Sequence, residues 1–437
     1  MKKIGMFLTI IFVSLVLFAC PPLLEDDNDS VFSGTVISFD EPFELDVYKW
    51  FEILDSVAKN RKFVSLDLSN ATLPADPSSA GGLIPVTLTE GVTSVSYVAF
   101  DPFPAASSGK NYILSIILPD EAQMVNQAVE DGAISDDEDE VKNTKKYSAF
   151  RSFTNLRSVS AKNVTLIGNF AFADCTSLRN ADFPRVGHKV EDAELADSTN
   201  AMANGYRVDI GRYAFLGCTG LKEVKFNWAA VIGKYAFKDC KNLSRLDFPN
   251  VWNIEKNAFE GCVKLINVFF EQASKIGEEA FKDCTGLKKA EFNVMPAPYS
   301  GLAPVPAAPD ILPVYESVIF YPSVFTGCKA LEVLNIRRAW NVYFSKNVLA
   351  SIGTAVEIYL FDEPNLPTKV SFGHPQNAMF LGETATVTSL KKVTIIVPLV
   401  PPPDDALIQE NAGPDNIAKW IRTKYPNNMD VPIIRRN

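Results

Sequence analysis

From residue 149 to residue 336 one pattern of apolar and polar positions recurs. Four copies run without interruption: IGRYAFLGCTGLKEVKF (210–226), IGKYAFKDCKNLSRLDF (232–248), IEKNAFEGCVKLINVFF (254–270) and IGEEAFKDCTGLKKAEF (276–292). Their cysteines, Cys218, Cys240, Cys262 and Cys284, stand 22 residues apart. Cys175 in GNFAFADCTSLRNADF (168–183) and Cys328 in PSVFTGCKALEVLNI (322–336) hold the same frame. In AFRSFTNLRSVSA (149–161) Phe153 takes the cysteine's place. Self-similarity at a period of this length is the signature of a repeat solenoid.

Every copy predicts the same elements. In LKEVKF the apolar residues are Leu221, Val224 and Phe226. Val224 and Phe226 alternate with Glu223 and Lys225, as a short strand buried on one face requires. A second apolar pair follows, such as Val231–Ile232, then often a glycine, then Ala-Phe-x-x-Cys. Ala236 is small where chain segments come close, and Phe237 fills the interior. One unit cannot bury its apolar face alone, whereas stacked copies share a continuous core. Gly168, Gly211, Gly233 and Gly277 occupy the position after the isoleucine, but Glu255 stands there once. That position therefore does not demand a positive φ.

The strand frame extends outward to Phe63–Leu68, Ile113–Leu118, Ala355–Leu360 and Leu390–Ile395. Strand starts at 63, 113, 156, 178, 221, 243, 265, 287, 331, 355 and 390 give about eleven coils, a solenoid over 63–397. Insertions at 72–110, 120–147, 187–207 and 294–317 each follow a strand, which predicts that all four leave from one edge. DVYKWFEILDSVAKN (46–60) spaces Val47, Trp50, Leu54 and Val57 near the helical period, predicting an N-terminal cap over 46–62. DNIAKWIRTKYP (415–426) does likewise with Ile417, Trp420 and Ile421 inside a C-terminal cap over 398–437. Bare coil ends expose sheet edges, so caps are expected.

The motif AF-x-x-C-x-x-L at this period resembles the BspA-like class of leucine-rich repeats. The likeness is close over 149–292 and looser over 63–397. It implies a solenoid of short parallel strands joined by irregular or short helical turns. Members are bacterial surface proteins, including many treponeme-type lipoproteins, and several bind host matrix proteins or other bacteria. Their binding residues vary, so none is carried over by motif.

The first residues, MKKIGMFLTIIFVSLVLFAC, place two lysines before an apolar run of about 15 residues, the layout of an export signal over 1–19. A spanning helix needs about 20. The run ends in LFAC, which resembles the lipobox of bacterial lipoproteins. That resemblance implies acylation of Cys20, which becomes the new N-terminus and anchors the protein to a membrane. Each buried CH2 contributes about 0.8 kcal/mol to such anchoring. Residues 20–45 then read as a lipidated N-terminus and tether.

The chain has 437 residues, of which 47% are hydrophobic, enough for a substantial core. Its formal charge is −10, and −12 once Lys2 and Lys3 leave with a signal peptide. An acidic surface repels phosphate backbones, so nucleic acid is excluded as a partner. The two histidines, His188 and His374, starve most metal and acid–base designs. Neither lies in a nucleophile arrangement, and GxSxG and phosphate-binding loops are absent. No catalytic residue, metal site or cofactor is expected, and the chain is not read as an enzyme. The acidic run EDGAISDDEDEV (130–141) lacks the ligand order of a calcium loop and reads as solvated.

Cys20 and the six cysteines of the repeat account for all seven. Neighbouring coils place equivalent residues about 4.8 Å apart, within disulfide reach, and an exported protein can oxidise. Yet the repeat stacks these side chains in parallel, and Phe153 fills the slot without sulfur. A ladder of buried thiols is the leading expectation, with disulfides or reactive or metal-binding sulfur as alternatives.

The outward strand positions form the candidate binding surface. They are Ser158/Ser160, Asn180/Asp182, Glu223/Lys225, Arg245/Asp247, Asn267/Phe269, Lys289/Glu291 and Val333/Asn335, in two parallel columns. Partner-binding candidates are those from Asn180 to Glu291. Mixed charge and one aromatic suit a protein partner better than a polyanion or a membrane. Phe269 is the expected anchor; the alternatives are a merely solvated sheet, or Phe269 packing on Trp228 or an insertion. The expected function is adhesion to host matrix or bacterial proteins by a protein lipid-anchored at the outer membrane or cell surface. The runner-up is a periplasm-facing scaffolding lipoprotein without a host ligand.

Overall fold

The computed structural model describes residues 35–39, 41–73, 82–86, 95–100, 108–125, 150–187, 208–293, 317–337, 341–344, 348–349, 351–353, 356–360, 369–371, 393–398 and 433–436. Every predicted strand start becomes a parallel strand. The first ladder runs Thr35–Ile37, Val64–Asp67, Ile113–Ile117, Ser158–Ser160 and Asn180–Asp182. It resumes with Glu223–Lys225 and Arg245–Asp247, then with Asn267–Phe270, Lys289–Asn293, Val333–Arg337, Val356–Leu360, Val393–Pro398 and Ile433–Arg436. Thr35–Ile37 and Ile433–Arg436 extend it beyond the strands foreseen, and the former arises within the segment expected to be a tether.

The second apolar pair of each repeat builds a second ladder. It includes Met124–Val125, Leu166–Ile167, Val231–Ile232, Asn253–Ile254, Lys275–Ile276, Ser317–Phe320, Asn341–Phe344 and Lys369–Ser371. Bridges from Ile210 to Ile167 and to Ile232 join its two parts. An antiparallel pair, Gly82–Val86 with Val95–Phe100, adds to its N-terminal end. Register follows the repeat: Asn180 pairs with Ser158, Glu223 with Arg245 and Val231 with Asn253, each 22 residues apart.

Between second and first strands the Ala-Phe-x-x-Cys turns stack through their own hydrogen bonds. Phe215 N donates to Ala236 O at 2.7 Å, and Phe237 N to Ala258 O at 2.8 Å. Each turn holds two residues in the left-handed region. Tyr213, Tyr235 and Glu279, just before the alanine, have φ of 58°, 59° and 55°. Asp174, Asp239 and Asp283, just before the cysteine, have φ of 61°, 61° and 56°, and Gly217, Gly261 and Gly327 take that place in the alternate coils. Left-handed backbone costs an L-residue about 1–2 kcal/mol, so the stacked turns hold these residues against their own preference. The glycine after the isoleucine is different. None of its copies has a positive φ. Close approach selects it instead: a Cβ on Gly277 would stand 2.5 Å from the backbone carbon of Glu255.

The core is a pair of phenylalanine columns. Phe150, Phe172, Phe215, Phe237, Phe259, Phe281 and Phe325 stack in sequence with centroids 5.2–5.8 Å apart. Phe183, Phe226, Phe248, Phe270 and Phe292 form the second column at 5.7–6.5 Å. Burying such a side chain contributes about 1.5–3 kcal/mol, and near-parallel stacking adds about 0.5–1.5. The N-terminal helix Val47–Asn60 closes on this core, with Trp50 edge-on to Phe150 at 6.3 Å. Asp46 caps it by accepting from Lys49 N at 2.7 Å.

The insertions do not all leave from one edge. Residues 188–207 and 294–316 lie between a first-ladder strand and the next second-ladder position. The acidic stretch starts later, after Met124–Val125, and ends at the turn beginning with Phe150. The cause is the burial of Met124 and Val125, which supply the second apolar pair of their own coil. The signal sequence, Cys20, the acidic run 130–141, His188, His374 and the helix expected over 415–426 lie outside the described residues.

Candidate protein-binding face

The two columns expected on the first ladder are present. Register aligns Ser158 with Asn180, Glu223 with Arg245, and Asn267 with Lys289 and Val333 in one column. The other aligns Ser160 with Asp182, Lys225 with Asp247, and Phe269 with Glu291 and Asn335. Alternation explains the placement: Val224 and Val268, between these residues, are buried. Asn180, Asp182, Glu223, Lys225, Arg245, Asp247, Asn267 and Phe269 are exposed, while Lys289, Glu291, Val333 and Asn335 are half-buried. The hydrogen-bonded ladder pauses between the Asp182 and Glu223 strands and between the Asp247 and Asn267 strands.

Much of the charge on this face is paired across strands. Arg245 reaches Glu223 at 3.2 Å, and Lys225 reaches Asp247 at 3.7 Å. Such exposed pairs contribute about 0–1 kcal/mol each. Glu291 is more enclosed, bound by Lys289 at 2.7 Å and Arg337 at 3.2 Å, with Asn335 donating at 3.4 Å. Burial acts to raise its pKa, but these hydrogen bonds and the Arg337 charge prevail and hold the carboxyl below its usual range. Phe269 remains 43% exposed.

Two residues of this surface escaped the alternation argument. Val263 and Ile266 precede the strand, on the same coil as Phe269, and both are exposed. Lining up the repeat on its cysteines reveals them, because the corresponding positions elsewhere are polar.

The turn edge is a different surface. Phe170, Tyr213 and Tyr235 stack at 4.8 and 4.6 Å, with Arg151 over the Phe170 ring at 5.3 Å and Lys238 over the Tyr235 ring at 5.5 Å. Burial pushes the Tyr213 hydroxyl up to about 12. Lys238, Glu260, Lys282 and Glu279 continue the edge as an ion network with contacts of 3.0–3.7 Å. These groups are largely covered and bind one another, which makes them structural.

All six repeat cysteines are buried free thiols. Desolvation raises each pKa, to about 12 for Cys175 and Cys328. Among the described residues no group of three or more His, Cys, Asp or Glu side chains is placed to hold a metal ion. No helix among them is long and apolar enough to cross a membrane.

Two parallel ladders, a buried thiol in six of the turns and a regular outward face define a leucine-rich repeat solenoid. Residues 138–203 and 205–295 match the model of the BspA type leucine rich repeat region, in six copies. No curated protein matches the chain. Among solved structures it is similar to the T. pallidum leucine rich repeat protein TpLRR, with 19% identity over 56% of this chain and 79% of that one, at a TM-score of 0.30. A leucine-rich repeat protein from Bacteroides ovatus shows 16% identity over 72% and 81%, at a TM-score of 0.30. The pneumococcal vaccine antigen PcpA shows 10% identity over 92% of each chain, at a TM-score of 0.26.

Proposed function

We propose that the chain is an exported bacterial surface protein that binds protein partners through the outward columns of its first ladder. The supporting observation is a regular, exposed face of mixed charge that carries the unburied aromatic Phe269. The repeat holds such side chains at fixed backbone spacing, which lowers the ordering cost of binding. Lipid on Cys20 holds the protein to the membrane in this proposal, and adhesion to host matrix or to other bacteria is its role.

Binding of the purified full chain to immobilised matrix proteins and to whole bacteria tests this. Phe269→Ala and Arg245→Ala are expected to weaken capture by about tenfold, the loss of an anchor contact. Unchanged capture by both variants would remove this face from the proposal. Cys20→Ser is expected to release the protein from membranes; persistent membrane association would identify a different anchor. Protease treatment of intact cells should digest the solenoid, and protection would place it facing the periplasm.

A further inference from the structure

We infer that the coil around Cys262 carries a docking stripe for an acidic, apolar segment of a partner protein. The inference rests on the protein-binding proposal and assigns the chemistry of the ligand. Count one, four and seven residues after each repeat cysteine. In the five other cysteine-bearing coils every such position is polar, as with Thr219, Lys222 and Lys225, or Thr285, Lys288 and Glu291. After Cys262 the three are Val263, Ile266 and Phe269. They are 37%, 50% and 43% exposed. Isolated exposed hydrophobics are ordinary on any surface. Three on one coil, at positions polar in every other coil, form a patch of the kind that marks an interaction site.

The surrounding charge sets the ligand. The carboxylates flanking Phe269 are already engaged: Asp247 with Lys225 at 3.7 Å, and Glu291 with Lys289 at 2.7 Å and Arg337 at 3.2 Å. Lys241, Lys264 and Lys288 lie on the stripe's coil and its two neighbours, exposed and outside any ion pair among the described residues. A chain of formal charge −10 thus gathers unpaired ammonium groups around its apolar stripe. Apolar side chains flanked by carboxylates complement that arrangement, whereas a basic or purely polar segment does not.

Fluorescence anisotropy with three synthetic peptides of equal length tests this on the full chain. One alternates leucine and glutamate, one serine and glutamate, and one leucine and lysine. The leucine–glutamate peptide is expected to bind at least about tenfold more tightly than either control. The triple variant V263S/I266S/F269S should reduce it to control level. The variant K241E/K264E/K288E should reverse the preference toward the leucine–lysine peptide. All six side chains are exposed, and matching thermal melts verify folding; if the apolar variant unfolds, the charge reversal carries the test. Equal binding of the leucine–glutamate and serine–glutamate peptides, or undiminished binding by a folded triple variant, overturns the inference. The matrix and whole-cell assays are separate, so such a failure leaves the binding proposal standing. A concentration-dependent dimer abolished by V263S/I266S/F269S would overturn the partner assignment and make a second copy the occupant.

Discussion

The Cys240 thiol donates to the backbone carbonyl of Phe215, one coil earlier, at 3.2 Å. The same bond recurs at every repeat cysteine, from Cys175 to Phe150 at 3.0 Å through Cys328 to Phe281 at 3.1 Å. The turn points each phenylalanine carbonyl into the coil, where water is excluded. A small apolar side chain with a weak donor suits that place. The cysteine gives that buried carbonyl a second, weak donor beside the backbone N–H that it already accepts, Cys218 N at 3.1 Å in the case of Phe215.

Cys240→Ala should destabilise the protein by about 1 kcal/mol: the Phe215 carbonyl keeps its bond from Cys218 N at 3.1 Å but loses its second donor, and the buried sulfur leaves a small void. Denaturant unfolding measures this. A shift indistinguishable from zero would mean that neither the thiol's bond nor its packing contributes. In the folded protein all six repeat thiols should resist a thiol-specific reagent, and all six should react once denaturant is added.

Stability should fall in alkali. Burial raises the folded pKa of these thiols above the ordinary value of 9.0. For a group raised in this way, the contribution to stability is complete below the unfolded pKa and is lost as pH climbs toward the folded one. Unfolding free energy should therefore decline from about pH 9 upward. Replacing two of the cysteines by alanine should flatten that decline. An unaltered slope would trace it to other groups, such as Tyr213.

The period alone exposed most of the fold, because Val224 and Phe226 can face a core only if their neighbours face water. The same logic located the two outward columns. It failed where the determining force is not alternation. Tyr235 sits at φ 59°, a value its type disfavours; stacking on Tyr213 and the ladder of turns impose it. Met124–Val125 were hidden inside an apparent insertion because a two-residue strand has too few positions to show a period. Val263 and Ile266 lie outside the strand, so only comparison of one coil with the next brings them into view.

Phe237→Ala should cost about 3–5 kcal/mol. The ring stacks on Phe215 at 5.2 Å and on Phe259 at 5.3 Å, and it meets Phe248 edge-on at 6.0 Å. Loss of one ring breaks a column shared by several coils, so the thermal transition should fall and broaden. A native melting profile would be incompatible with a shared core.

Asp and Gly alternate at the position before the cysteine, and the two residue types meet between coils. A Cβ on Gly261 would stand 2.9 Å from the Asp239 Oδ1 atom, and Gly261 itself has a φ of 74°. Gly261→Ala therefore has two costs. The backbone penalty is about 1–2 kcal/mol for an L-residue in the left-handed region. The second cost is displacement of the Asp239 carboxylate. Asp239→Gly removes the second and keeps the first. The double mutant should thus lose less than the sum of the single ones, by about 0.5–1 kcal/mol, as residues in contact do. Urea unfolding of the four proteins gives the coupling directly. Simple additivity would show that the carboxylate swings aside at no cost, and that backbone geometry alone keeps glycine at 261.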